Sequence, residues 1–196
     1  MRDPSDAEDT QKVQEFLAGD ARAFDFLYEK YRERVYRLAY RFLRNREDAL
    51  EVAQDVFLRV YLGLSKFKTQ SKFFTWLYRV AVNRAIDFAR AKRGARPKGV
   101  DAEVLELAAR PLPGRRPAPD PVEVAAEREL AEAVREAVAG LSEKHRAVFL
   151  LHATENLSYR EIAEVVGCSL GTVMSRLFYA RKKLQRALGK KLADRA

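Results

Sequence analysis

The sequence predicts an all-α protein of two helical domains joined by a proline-rich linker. Three observations carry this. Apolar residues recur at helical steps of three and four over long runs. No stretch shows convincing strand alternation, and no internal repeat is present. Six of the seven prolines lie between Gly94 and Pro121, where a long helix is forbidden because proline lacks an amide N–H and clashes with the preceding turn. The organisation expected is an acidic N-terminal segment over 1–20, a first domain over 21–93, a linker over 94–121 and a second domain over 122–196.

The first long periodic run opens near Ala21. Phe24, Leu27, Tyr28, Tyr31, Val35, Leu38, Ala39 and Phe42 form one apolar face, and Arg32, Arg34, Arg37, Arg41 and Arg44 occupy the others. Asn45 suits the N-cap of a second helix, with Glu47 and Asp48 in its first turn. That helix buries Ala49, Val52, Ala53, Val56, Phe57, Val60, Tyr61 and Leu64. A third helix is predicted from Lys72 to about Arg93, carrying Phe73, Trp76, Leu77, Val80, Ala81, Ile86 and Phe88. The linker follows, extended where proline is dense, with room for a short helix around Asp101 to Ala109.

Helical periodicity resumes at Val122 and stops at Gly140, with Glu123, Glu127, Glu129, Glu132 and Glu136 on one face. Ser142 is placed to cap a helix holding Ala147, Val148, Leu150 and Leu151. Ser158-Tyr159-Arg160-Glu161 has the spacing of a capping box, in which Ser158 and Glu161 satisfy each other's orphan N–H groups. A short helix from Tyr159 to Val166 follows. Gly167 supplies a left-handed turn, and Ser169 starts a long basic helix to about Leu188.

Lys and Arg number 37 against 28 Asp and Glu, a net charge of +9. Such a balance favours a polyanionic partner, nucleic acid before an anionic membrane surface. Cys168 is the lone cysteine, so no disulfide framework forms within the chain, as suits a reducing cytoplasm. The N-terminus has no apolar signal-peptide core, and no window approaches the roughly 18 apolar residues of a membrane span. A soluble, cytoplasmic protein with no membrane insertion is expected. His145 and His152 lie two helical turns apart, and with Cys168 they fall short of the four recognisably spaced ligands of a structural zinc site. No Walker-type loop or nucleophile motif is present. The chain is therefore expected to need no metal or cofactor and not to be an enzyme.

A short helix, a glycine turn and a longer basic helix form the layout of a helix-turn-helix. Ile162, Ala163 and Val166 are expected to face Val173 and Leu177, with Ala163 small where the helices meet. From Leu170 to Ala196 there are eight basic residues and one acid. That density suits phosphate neutralisation with counterion release. The competing reading is a helical hairpin with a solvated basic face.

The segment LSEKHRAVFLLHATENLSYREIAEVVGCSLGTVMSRLFYARKKLQRAL resembles domain 4 of the sigma-70 family of RNA polymerase sigma factors. DALEVAQDVFLRVYLGLSKF and KFFTWLYRVAVNRAIDFARAKR resemble its domain 2. Order and spacing are similar to the compact extracytoplasmic-function group, and the resemblance covers about 21–93 and 122–190. It implies a subunit that binds core polymerase, reads the −35 element as duplex, and melts the −10 element while capturing its non-template strand. It also implies docking on the clamp helices of the largest polymerase subunit and the flap of the second, and silencing by an anti-sigma factor.

By this resemblance, Asp48, Glu51, Gln54, Asp55 and Arg59 contact the clamp helices. For Asp48, as for Glu47, the alternative is a solvated first turn favoured by the helix dipole. The −10 strand falls to Phe67, Lys68, Ser71, Lys72, Phe74, Arg79, Asn83 and Arg84, with Arg90, Lys92 and Arg93 as further phosphate contacts. Flat side chains beside a basic groove are what single strands require. Core packing is the alternative for the aromatics, and it is favoured for Phe73, Trp76 and Leu77. The −35 element falls to Ser169, Gly171, Thr172, Ser175, Arg176, Phe178, Tyr179, Arg181 and Lys182. Met174 and Tyr179 depart from the family, where arginine is frequent at both positions. The linker departs too, mixing Arg115 and Arg116 with Asp101, Glu103 and Glu106. The alternative reading is a stand-alone helix-turn-helix regulator whose N-terminal bundle binds a partner.

Overall fold

The computed structural model describes residues 4–67, 71–95 and 121–193. Among them there are α-helices, one 3-10 turn and short connections, and no strand. The first domain contains α1 (Pro4–Leu17), α2 (Arg22–Leu43), α3 (Arg46–Gly63) and α4 (Phe73–Ala95), with the 3-10 turn Leu64–Lys66 after α3. The second contains α5 (Pro121–Ala139), α6 (Glu143–Ala153), α7 (Tyr159–Val166) and α8 (Leu170–Ala193). Most of the linker, including the stretch around Asp101 to Ala109, lies outside the described residues.

The predicted stripes of α2 and α3 are buried: Leu27, Tyr31, Val35, Leu38, Ala39 and Phe42 meet Ala49, Val52, Val56 and Val60. Arg44 ends α2 in the left-handed region at φ 58°. Asn45 then caps α3, its side chain accepting from the Asp48 amide at 2.9 Å. Tyr61 departs from its predicted place. It is 45% exposed, although its ring meets those of Phe16 and Phe24 edge-on.

The N-terminal segment, to which the sequence analysis assigned no element, contains α1. Its buried stripe is largely polar, so apolar periodicity does not reveal it. Asp6, Asp9 and Val13 lie inward, and Asp9 is 1% exposed. Asp9 accepts from the Tyr31 hydroxyl and from Lys30. The legible signals were Pro4 in the first turn and Asp6 beside it, both favoured at a helix start.

In the second domain Ser158 and Glu161 form the capping box, and Gly167 adopts φ 64° after α7. Val165, not Val166, is the fully buried partner of Ile162 against Val173 and Leu177, and Ala163 and Val166 are half-buried. The rotation of so short a helix is set by two buried positions, and spacing alone leaves it free by one residue. Ser142 precedes α6, but its hydroxyl pairs with His145 Nδ1 at 2.6 Å and makes no capping bond to an amide.

The two domains lie in contact, α4 against α7 and α2 against α6. Arg146 of α6 is almost fully buried. It donates to the carbonyls of Val138, Ala139 and Leu141 at the end of α5, and to that of Phe42 at the end of α2. Glu155, between α6 and α7, accepts from the Tyr78 hydroxyl at 2.5 Å and faces Arg34 and Arg41.

Candidate nucleic-acid interface

The face expected to take a single strand is built on α4. Helical spacing buries Phe73, Leu77, Tyr78, Ala81, Val82 and Ala85. Lys72, Arg79, Asn83, Asp87 and Arg90 are left exposed along the opposite side, with Trp76 half-buried among them. Asn83 therefore lies on the open stripe, across the helix from its buried side. Phe74 is half-buried beneath Lys72, whose ammonium is 5.2 Å from its ring centre. Ser71 is half-buried at the start of this stretch, and Lys68 lies outside the described residues.

Phe67, expected among the residues that take the −10 strand, lies inward. It is 8% exposed and packs against Phe73 and Trp76, ring centres 6.0 and 5.3 Å away. Burying an aromatic face outweighs leaving it ready for a base, since each such ring removes a large apolar area from water. It anchors the start of α4 from within.

Three cations expected on the strand are held by the chain itself. Lys72 pairs with Asp6 of α1 at 2.9 Å and with Glu161 of α7 at 3.1 Å. The Asp6 carboxylate beside it leads in raising its pKa, against burial, with Glu161 adding to it. Arg79 donates two hydrogen bonds to the Glu164 carbonyl, near the end of α7. Arg84 binds Asp55 and lies over the Phe88 ring.

That pair joins two sets assigned separately in the sequence. Burial raises the Asp55 carboxyl pKa, but hydrogen bonds from Arg59 and Arg84 outweigh it and hold the group below its ordinary value. Asp48 is likewise tied to α4, accepting from Lys92 at 2.6 Å. Glu51, Gln54 and Arg59 remain exposed, though Arg59 also bonds Asp55 at 2.9 Å. Gln54 stands in a shallow groove of about 420 Å³ between α2 and α3, beside Tyr28, Tyr36, Leu50 and Phe57. Sequence reasoning missed the leucines that flank it. Leu50, Leu58 and Leu62 are each more than half exposed. With Gln54 they make a row at four-residue spacing, the ridge one helix presents to another. The available signal was leucine off the core stripe at three of four positions spaced by four, with Gln54 as the fourth.

On α8, Val173, Leu177, Ala180 and Leu184 are buried, which turns Gly171, Ser175, Phe178, Tyr179 and Lys182 outward. Ser169 is the N-cap, its hydroxyl accepting from the Thr172 amide at 3.2 Å and pairing with the Thr172 hydroxyl at 2.9 Å. Ser175 donates to the Thr172 carbonyl at 3.0 Å. Arg176 lies on the flank and reaches back to Cys168 Sγ at 3.7 Å. Arg181 and Lys182 are exposed a turn further on. Lys183 is drawn to the Gly140 carbonyl.

A helix-turn-helix beside a bundle bearing an aromatic, cationic loop defines a class, the promoter-reading proteins of two helical domains. Residues 27–95 match the family model of Sigma-70 region 2, and residues 131–184 match that of Sigma-70 region 4. The RNA polymerase sigma-H factor of Pseudomonas aeruginosa is 37% identical over 92% of this chain and 94% of its own length. The ECF RNA polymerase sigma-E factor of Escherichia coli is 34% identical over 88% of this chain and 90% of its own. CnrH, solved in complex with the cytosolic domain of CnrY, aligns with a TM-score of 0.67 at 26% identity, covering 96% of this chain and 99% of that one. The chain belongs to the sigma-70 family of RNA polymerase sigma factors, in its extracytoplasmic-function group. Among the described residues no helix is long and apolar enough to cross a membrane.

Proposed function

We propose that the chain acts in the cytoplasm as the promoter-specificity subunit of RNA polymerase, with the parts divided as follows. The row Leu50, Gln54, Leu58 and Leu62, bordered by Glu51, docks on the clamp helices of the largest subunit, and the second domain engages the flap of the second. Asp48 and Asp55 act through α4, holding Lys92 and Arg84 in place. The loop before α4, with Ser71, Lys72, Phe74, Arg79 and Asn83, takes the −10 non-template strand. The outward face of α8 takes the −35 duplex. Catalysis belongs to the polymerase, and this chain supplies recognition.

The observation that carries the reading is one molecule holding both surfaces: a basic helix with an outward N-terminal half, and, on α4 and just before it, a stripe of exposed cations and an amide around a half-buried indole. A stand-alone regulator accounts for the first and not the second. An anti-sigma factor is proposed as the silencing partner; CnrH, which this chain resembles in fold and sequence, was solved bound to another protein, the cytosolic domain of CnrY.

The test is purified core polymerase with this protein on a promoter library. Promoter-dependent RNA is expected. Duplex binding without such RNA would reject the reading. Gln54→Arg, which leaves the ion pairs of α3 intact, should weaken polymerase association about tenfold or more, since a desolvated wrong charge at an interface costs several kcal/mol. DNA binding by α8 should not change.

A further inference from the structure

We infer that α8 selects thymine in its duplex target, reading the 5-methyl group through Met174, Phe178 and Tyr179 in place of a guanine edge read by arginine. This rests on α8 being the duplex reader and adds the class of base it reads.

The polar groups of the first turns of α8 are engaged within the protein. Ser169 and Thr172 hold each other, and Ser175 bonds the Thr172 carbonyl. Arg176 is the one arginine in the first two turns. It points off the reading face to Cys168 Sγ, and its charge, with that of Lys183, adds to burial in lowering the pKa of His145. A bidentate approach to guanine O6 and N7 needs the guanidinium outward.

What stands outward is apolar. Met174, Phe178 and Tyr179 are 54%, 59% and 58% exposed. At about 100° per residue, Phe178 and Tyr179 straddle the line opposite the buried face, and Met174 stands about a quarter turn from that line, one helical turn before Phe178. Ahead of them Gly171 and Ser175 are small, and a Cβ on Gly171 would meet nothing within 4 Å, so the helix can approach the groove floor closely. Exposed apolar side chains in contiguous array are uncommon on a free surface and mark a contact. The partner here is DNA and not an acidic protein helix, because the array runs directly into phosphate-holding cations. Lys182 lies 5.9 Å from the Phe178 ring centre, and Arg181 and Arg186 follow. In the major groove the thymine methyl is the apolar group on a base edge, and Phe and similar side chains read it by contact.

The test uses holoenzyme made from the full chain and core polymerase. A preferred promoter is selected from a library randomised in the upstream element. It is then resynthesised with deoxyuridine replacing thymidine, one upstream position at a time, so that a single methyl is lost. At one position or more, holoenzyme affinity should fall about fourfold, the worth of one buried methyl-sized group. Phe178→Ser and Met174→Lys, both at exposed positions, should bind thymine and uracil promoters alike. Equal binding of thymine and uracil by the unaltered protein at every position would overturn the inference. So would discrimination that persists in both variants. If Phe178→Ser weakens holoenzyme assembly while promoter preference stands, the array docks protein, and the inference fails while the sigma reading survives. If no promoter-dependent RNA appears at all, the parent reading fails and this one with it.

Discussion

Arg146 shows what one side chain can decide. Its planar guanidinium reaches four backbone carbonyls at the ends of two helices, and its charge lies over the Phe42 ring at 5.2 Å. The Val138 carbonyl also accepts from the Leu141 amide at 3.1 Å, while those of Phe42, Ala139 and Leu141 lie where intrahelical donors run out, and burial keeps water from most of them. Arg146→Met should therefore cost about 3 kcal/mol, because buried acceptors are left unsatisfied. Arg146→Lys should recover little of it, since an ammonium cannot fork to several acceptors at once. Chemical denaturation of the full chain measures both. Gly167 is decided by backbone alone. It sits at φ 64° with open space around its Cβ position, so Gly167→Ala should destabilise by about 1 kcal/mol through the left-handed penalty.

Among the elements, α7 depends most on its cap. An eight-residue helix cannot stand alone in water, and its Ser158–Glu161 box closes the first turn. Ser158→Ala should cost about 1 kcal/mol. Glu161 also gives α7 a pH dependence. Burial raises its pKa, but bonds from Ser158 and the ion pair with Lys72 outweigh this and lower it from the ordinary 4.5. A carboxyl whose folded pKa is depressed contributes stability that is complete above its unfolded value and lost as pH falls through the folded one. Acid titration of stability should thus show a loss beginning near pH 4.5, and Glu161→Gln should remove that component. A titration unchanged by the substitution would count against the Lys72 pair. The comparison of α1 with α7 also shows how far an element can be read from its sequence. Ser158, Glu161 and Gly167 announced α7 by residue type, because caps and left-handed turns are local chemistry. Helix α1 was silent, because Asp6 and Asp9 occupy positions where periodicity seeks apolar residues. Their burial makes sense only beside Lys72, Lys30 and Tyr31, brought there by α2 and the loop before α4.

For the whole molecule, the arrangement of the domains matters most. Glu161 and the Glu164 carbonyl occupy Lys72 and Arg79, so on the proposed reading of these two cations strand binding and the α4–α7 contact exclude each other. Glu155 strengthens that contact through Tyr78, Arg34 and Arg41. The combined Tyr78→Phe and Glu155→Gln substitutions should separate the domains, read as a longer distance between fluorophores on α3 and α8. The same protein should bind a single-stranded −10 oligonucleotide more tightly, because the competent form is a larger share of the population. Unchanged affinity in a separated protein would show that Lys72 and Arg79 take no part in strand binding.

By itself, the sequence determined the helical class, the α7–α8 turn, the cap of α3 and the basic character of α8. Each follows from spacing, from a single residue's backbone preference or from charge, and none needs a distant partner. Only the tertiary structure decided that Phe67 lies inward, that Asp55 holds Arg84, and that Arg176 turns back to Cys168. Those outcomes depend on which rings, acids and acceptors the fold brings within a few ångströms, a competition between distant residues that no local pattern records.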